Sequence, residues 1–392
     1  FDHLPKPEVP ADLVFTSHER LQRYLSESED QAADWLWFHN RWAAQTSARK
    51  RFQIRDEDNL LGHDIANWPK RTRLWFRMPN WLGDVVMALP LIRAVREGRP
   101  DAEITLFAQS ALRPLLEYVG IADQLIDLPS KGTPAWRYFQ TFASLRKEYP
   151  DSVLCLTNSS RGDLEAFLTG CAQRMGMQRP GKRRPLLTNV WEVPPSMDET
   201  QCHQLEVWEA MFRHFGLRVP LARTPLGDHG EGRGIGLICG TENMPEKRWP
   251  VEHWRGLVKR LLEGAENEPI ILYGTKRDRE ITELVAHGFD PERVSNFAGE
   301  TNLAEYLDHL RALRAVICND TGGMHLANML GVPVFAIFGP TNPVRTGPVL
   351  DAPSHLLQPP GCPATGGTDI ADVTVEQVWE AWRKHAPERI SH

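Results

Sequence analysis

The sequence predicts an α/β protein of two parallel-sheet halves with an extra helical segment ahead of them. Short apolar runs alternate with longer amphipathic stretches, which is the rhythm of βαβ units. That rhythm breaks near 217–234 into LRVPLARTPLGDHGEGRG, rich in Pro, Gly and charge, which reads as a linker between the halves. At 392 residues the chain also exceeds what one ordinary core serves.

The strands of the first half are expected at 73–78 (RLWFRM), 103–107 (EITLF) and 152–156 (SVLCL). Those of the second are expected at 235–239 (IGLIC), 269–273 (PIILY), 315–318 (AVIC) and 333–338 (PVFAIF). Helical spacing of apolar residues falls at 84–97, 111–118, 203–215, 252–263, 303–313 and 323–330. The halves then span 71–225 and 226–375, each Rossmann-like, after an extension at 1–70. Residues 17–50 of that extension read as one or two helices with an aromatic cluster, DWLWFHNRW, carrying Trp35, Trp37, Phe38 and Trp42. The rings suit a cap packed on the first domain, and Trp beside Arg also suits a lipid headgroup layer.

Composition narrows the function. The chain is 41% hydrophobic and 24% charged, as folded soluble domains are. Lys plus Arg number 45 against 51 Asp plus Glu, a net charge of −6 that argues against a general nucleic-acid binder. No apolar run approaches the roughly 18 residues of a membrane span, and FDHLPKPEVP at the start is no secretory signal. A chain opening on Phe1 is expected to be a piece of something longer. The cysteines, at 155, 171, 202, 239, 318 and 362, form no C-x-x-C pair. Buried reduced thiols at Cys155, Cys239 and Cys318, and a cytoplasmic setting, follow.

The chemistry concentrates where strands give way to helices. In MPNWLGDVVMALPLIRAVR, 78–96, a strand ends at Met78 and a helix opens near Gly83, which puts Asp84 at the carboxyl edge of a sheet. Its carboxylate there suits either the helix dipole or catalysis, and Pro90 should bend the helix. In CNDTGGMHLANMLGVPVFAIFGPTNP, 318–343, Asp320, Thr321, Gly322 and Gly323 lead into a helix with His325 in its first turn. Glycines at a helix start let backbone N–H groups approach an anion such as a diphosphate. In CGTENMPEKRWPVEHW, 239–254, Thr241, Lys247 and Arg248 follow a strand, and a cation there would stabilise a leaving group. Asp278 and Glu280, after the strand at 269–273, are candidates to accept from a ribose. No G-x-G-x-x-G opens a helix and no G-x-x-x-x-G-K-[ST] occurs, which disfavours NAD enzymes and P-loop ATPases. With no H-E-x-x-H and no D-x-D at a strand end, no catalytic metal is expected.

PNWLGDVVMALPLI, GTENMPEKRWP and NDTGGMHLANMLGVPVFAIFGPTNP, in that order, resemble the ADP-heptose:lipopolysaccharide heptosyltransferases, inverting enzymes of glycosyltransferase family 9 with the GT-B fold. Smaller echoes are LTNSSRGDLEAFLTGCAQRMGM and HQLEVWEAMFRHFGL, and the likeness covers roughly 72–385. The family usually carries a larger residue where Gly323 stands. The resemblance implies two Rossmann-like domains facing a central cleft, with the acceptor on 71–225 and the nucleotide sugar on 226–375. A last helix, in 376–392, would cross back to the first domain. It implies Asp84 as general base and Lys247 as the cation on the departing diphosphate, with no metal or other cofactor. Asp320, Thr321, Gly322, Gly323 and His325 would hold the donor, with Thr241 nearby, and Asp278 and Glu280 join them as candidates from their place after a strand. Asn158, Ser159 and Arg161, and the loop RPGKRRP with Arg179, Lys182, Arg183 and Arg184, would meet the phosphates of a lipid A–core acceptor. Peripheral contact with the cytoplasmic face of the inner membrane is the setting implied. Residues 17–50 also resemble the C-terminal end of the lipid A late acyltransferases, as the tail of a fusion would. Two other readings stand: a GT-B enzyme with another donor or acceptor, and a non-catalytic lipopolysaccharide-binding module of such a fusion.

Overall fold

A computed structural model describes residues 72–387 apart from 131, 228, 230, 231, 243 and 265–267. The expected helices and aromatic cluster of residues 1–70 lie outside the described residues.

Each half is a six-stranded, all-parallel sheet. The first contains β1 (Thr72–Arg77), β2 (Ala102–Gln109), β3 (Gln124–Leu128), β4 (Ser152–Cys155), β5 (Gln173–Gln178) and β6 (Asn189–Glu192), in the order β3-β2-β1-β4-β5-β6. The second contains β7 (Ile235–Ile238), β8 (Ile270–Tyr273), β9 (Val294–Asn296), β10 (Ala315–Asn319), β11 (Val334–Ile337) and β12 (Ser354–Leu357), in the order β12-β11-β10-β7-β8-β9. The two orders are the same pattern, so each sheet has one place where its winding reverses: between β1 and β4, and between β7 and β10. Ligands of open α/β sheets bind outside the strand ends at such reversals. Register fixes those pairs, with Trp75 beside Val153 and Leu237 beside Ile317.

The helices of the first half are α1 (Leu82–Gly98), α2 (Arg113–Val119), α3 (Ala135–Ser144), α4 (Ser160–Leu168) and α5 (Gln204–His214). The second half adds α6 (Val251–Gly264), α7 (Arg279–Ala286), α8 (Leu303–Arg311), α9 (Gly322–Met329), a single turn α10 (Pro343–Thr346) and α11 (Val375–His385). α6 shows why they form. Trp254, Leu257, Val258 and Leu261 recur at helical spacing and are buried, each contributing about 1.5–3 kcal/mol. Pro90 lies within α1 without ending it. Cys155, Cys239 and Cys318 are buried free thiols.

Five strands escape the sequence pattern: β3, β5, β6, β9 and β12. They are outer strands with polar or mixed residues such as QRMGMQ and VSN, whereas the central strands, covered on both faces, read as unbroken apolar runs. α3, α4, α7 and the single turn α10 also go unread. The final helix corrects an expectation. It does not cross back to the first half but stays on the second sheet, because Val378 and Trp382 bury there and Trp382 packs on Phe335. The contact between halves is instead made by α1 against α9 and by α2 against α8, and one apolar cluster runs through both, including Leu89, Ile92, Met324 and Leu326.

Candidate active site

The two winding reversals face each other across a cavity of about 550 Å³. Trp81, Gly83, Asp84 and Met87 line it from the first half. Thr241, Lys247, Asp278, Tyr306, Asp320 and Thr321 are among its walls on the second. Approach of the halves is close because two helix starts lack side chains. A Cβ at Gly83 would lie 2.6 Å from His325 Cδ2, and one at Gly322 would lie 2.9 Å from Leu82 Cδ2.

Asp84 sits in the first turn of α1, delivered by the loop after β1. That loop is tied from beneath by Arg77, buried at the strand end, which donates to the Met78 carbonyl, to Asn80 Oδ1 at 3.0 Å and to Glu165. Glu165 also accepts from Tyr138 and Arg161. Asp84 itself makes no hydrogen bond or ion pair among the described residues. Burial raises its carboxyl above the ordinary value, and the nearby Arg345 and Lys247 charges only partly offset that. The result is an unengaged carboxylate of increased basicity on the cleft wall.

Lys247 ends a short turn, Pro245–Lys247, and its Nζ donates to Asp320 Oδ2 at 2.7 Å. Neighbouring contacts hold it there. Thr241 Oγ1 donates to the Met244 carbonyl at 2.8 Å, and Arg248 donates to the Thr241 carbonyl at 3.0 Å. Buried Asn319 accepts from Trp249 N–H and donates to the Cys239 carbonyl, clamping β10 to the loop after β7. Thr321 caps α9, its Oγ1 accepting from Gly323 N–H at 3.2 Å. The Gly323 N–H, expected to face an anion, is therefore engaged within the turn. His325 is buried with Nδ1 unpartnered, and burial lowers its pKa to about 4, so it is neutral at pH 7.

Other expected residues separate. Asp278 lines the cavity, but its Oδ2 accepts from Thr275 N–H at 2.9 Å and from Thr275 Oγ1 at 2.8 Å, a turn-fixing role. Glu280 is exposed on α7 and does not line the cavity. Asn158 is half-buried ahead of α4, Ser159 caps that helix, and Arg161 lies over the Tyr138 ring, its centroid 4.8 Å away. In the basic loop, Arg184 departs most from expectation. It is buried against Asp163 and donates to the carbonyls of Met177 and Thr157, because an inward guanidinium needs acceptors on every N–H. Arg179 is spent on a bidentate pair with Glu199, both bonds 2.6 Å. Lys182 and Arg183 alone in this loop stay exposed without a described partner.

Sequence reasoning passes over Trp81, Tyr306 and Arg345. Trp81 is half exposed at the cavity mouth, and Tyr306 lines the wall. Arg345 follows β11 at the same sheet edge, the one signal that marks it in advance. It donates to Gln204 Oε1 at 3.0 Å and to Glu199, bridging the halves beside Asp84.

These features place the carboxylate and the cation–helix pair on opposite walls of one cleft, the layout of a group transfer between two bound substrates. The sequence profile of glycosyltransferase family 9 (heptosyltransferase) matches residues 142–365. The chain belongs to this family. It is 30% identical over 295 residues to the lipopolysaccharide heptosyltransferase 2 of Escherichia coli K12, covering 69% of this chain and 84% of that protein. It is 36% identical over 297 residues to the lipopolysaccharide heptosyltransferase 1 of Pseudomonas aeruginosa, covering 70% and 81%. A solved ADP-heptose lipopolysaccharide heptosyltransferase II of E. coli superposes with a TM-score of 0.68 at 25% identity, over 80% of this chain and 98% of that one. The family 9 chain is thus a glycosyltransferase with two Rossmann-like domains, the GT-B arrangement. Among the described residues, no helix is long and apolar enough to cross a membrane.

Proposed function

We propose that this chain transfers a heptose from ADP-heptose to the inner core of a lipid A-anchored lipopolysaccharide acceptor, with inversion at the anomeric carbon. The observation that carries the reading is the unengaged Asp84 carboxylate across the cavity from the Lys247–Asp320 pair and the start of α9. Asp84 takes the proton of an acceptor hydroxyl as its oxygen attacks, and the bond from the anomeric carbon to the diphosphate breaks. The departing diphosphate carries new negative charge, which Lys247 and the α9 dipole stabilise. Thr241, Thr321, Gly322, Gly323 and His325 shape the donor side, and Lys182 and Arg183 meet acceptor phosphates. Lys247 supplies the positive charge, so turnover is expected to persist in a chelator. Work on a lipid-anchored acceptor places the enzyme at the cytoplasmic face of the membrane, as a peripheral protein.

Calorimetry with ADP, UDP and GDP tests the donor. ADP is expected to bind at least tenfold more tightly than the others, and Lys247→Ala is expected to weaken it on the order of tenfold, as loss of a charged hydrogen bond does. Tighter binding of UDP or GDP would overturn the heptose assignment and favour the second reading, another nucleotide sugar on the same fold. Gly323 is the feature that favours that second reading.

A further inference from the structure

Tyr306, on α8, reaches the cavity wall beside the turn that opens α9. Its ring is held by Tyr273, with centroids 5.4 Å apart and planes at 49°. Tyr273 in turn packs against Phe297 and His309. The phenol is therefore rigidly aimed, yet its hydroxyl has no hydrogen-bond partner among the described residues. Nor is the oxygen fully enclosed in the core; it keeps an open side. A half-buried hydroxyl that opens onto a cavity and touches no protein acceptor is ready for a ligand acceptor. Burial raises its pKa further above the ordinary 10, so it is a proton donor at any working pH.

The same oxygen explains Gly323. A Cβ built at Gly323 would lie 2.7 Å from the Tyr306 hydroxyl oxygen and 2.6 Å from Ile238 Cδ1. Real Cβ atoms do not approach that closely, so even alanine would push both the phenol and the Ile238 side chain from their places. The backbone at Gly323 is helical, so glycine is needed there for space rather than for conformation. The space a side chain at Gly323 would take is occupied in this chain by a tyrosine reaching in from the neighbouring helix.

We infer that Tyr306 is a donor-binding residue of this enzyme, giving a hydrogen bond to an oxygen of the nucleoside diphosphate, and that Gly323 is the partner residue whose missing side chain makes room for it. The inference rests on the reading of the cavity as a nucleoside diphosphate site. The oxygen belongs either to the ribose or to a phosphate, since both stand beside a helix start that receives a diphosphate.

The test is calorimetry with ADP and with adenosine on the full chain, each variant's melting temperature being measured alongside. Tyr306→Phe keeps the ring and its packing. It is expected to bind ADP about tenfold more weakly, the scale of one hydrogen bond left unmade, with an unchanged melting temperature. In turnover, donor KM should rise with kcat unchanged, because the contact exists in ground and transition states alike. If the acceptor oxygen is on the ribose, adenosine shows the same loss; if it is on a phosphate, adenosine binds both proteins equally. The second arm is a cycle. Gly323→Ala should weaken ADP more in the Tyr306 protein than in a Tyr306→Ala background, where the phenol is gone and only the Ile238 contact remains. ADP binding by Tyr306→Phe equal to wild type overturns the inference, as does an equal cost of Gly323→Ala in both backgrounds. A wild-type protein that binds no nucleotide would instead overturn the reading of the cavity, and the inference with it.

Discussion

The two halves share one strand order but handle charge differently. On the second half, charged and polar groups at the winding reversal converge on the cavity: Lys247 on Asp320, Thr321 capping α9, and the Tyr306 hydroxyl, unpaired among the described residues. On the first half, most charge near the reversal is consumed inside the protein, in Arg77 with Glu165, Arg184 with Asp163 and Arg179 with Glu199. Asp84 stands out there because it is left alone. Under the proposed function, this difference is a division of labour: polar groups of the second half converge on the nucleotide sugar, while the stiffened first half presents one carboxylate to the acceptor.

Replacing Asp84 tests that division most severely. Asp84→Asn keeps the shape and removes proton acceptance, so kcat should fall about 10²–10⁴-fold while ADP affinity is retained. Stability supplies the second readout. The folded carboxyl has a higher pKa than the unfolded one, so the folded state holds the extra proton in the window between them and loses stability as pH rises through it. At neutral pH the ionised Asp84 is a net cost, and Asp84→Asn should melt no lower than wild type. A marked fall in melting temperature with kcat intact would make Asp84 a helix-start residue only.

Arg184 and its neighbour provide the next contrast. Arg184→Ala leaves Asp163 buried without its partner, a loss on the order of 3–5 kcal/mol. Arg183→Ala, on an exposed side chain, should leave the melting temperature unchanged. Equal melting temperatures for the two variants would show that the buried pair contributes nothing.

That contrast also marks what was legible in the sequence. The turns carrying Asp84, Lys247 and Asp320–His325 were readable because a strand end, a glycine and a helix start are local signals. Whether a cation in RPGKRRP faces water or Asp163 depends on a residue 21 positions away, and no local pattern encodes that. The same holds for Tyr306 and Gly323, whose relation appears only when α8 and α9 pack. The final helix went astray for a related reason: its apolar stripe was evident, but not which sheet would cover it.

His325 links the halves and offers a smaller, pH-dependent test. Its ring comes from the second half and rests against Gly83 of the first. Burial lowers its pKa from the ordinary 6.5 to about 4. The unfolded chain takes up this proton first, so stability should fall as pH drops from about 6.5 towards 4. His325→Gln should flatten that part of the melting-temperature profile. An identical acid slope in the variant would assign the effect to other groups.

The smallest expected effect separates contact from field at the basic loop of the first half. Lys182 and Arg183 are exposed and carry no partner among the described residues, so their charges project into solvent rather than into an ion pair. Exposed pairs are each worth about 0–1 kcal/mol, so Lys182→Gln with Arg183→Gln should raise acceptor KM only several-fold. Salt decides the origin of the effect. Screening acts over about 8 Å at physiological ionic strength, so wild-type acceptor KM should climb as salt is added, while the doubly neutralised enzyme should respond much less. Donor KM should not move in either protein, since Lys247, the cation proposed for the donor, sits on Asp320 in the opposite wall. If acceptor KM is the same for both proteins at low salt, the loop at 179–185 is solvated surface, and acceptor recognition must rest on groups nearer Asp84, with Trp81 at the cavity mouth the first to examine.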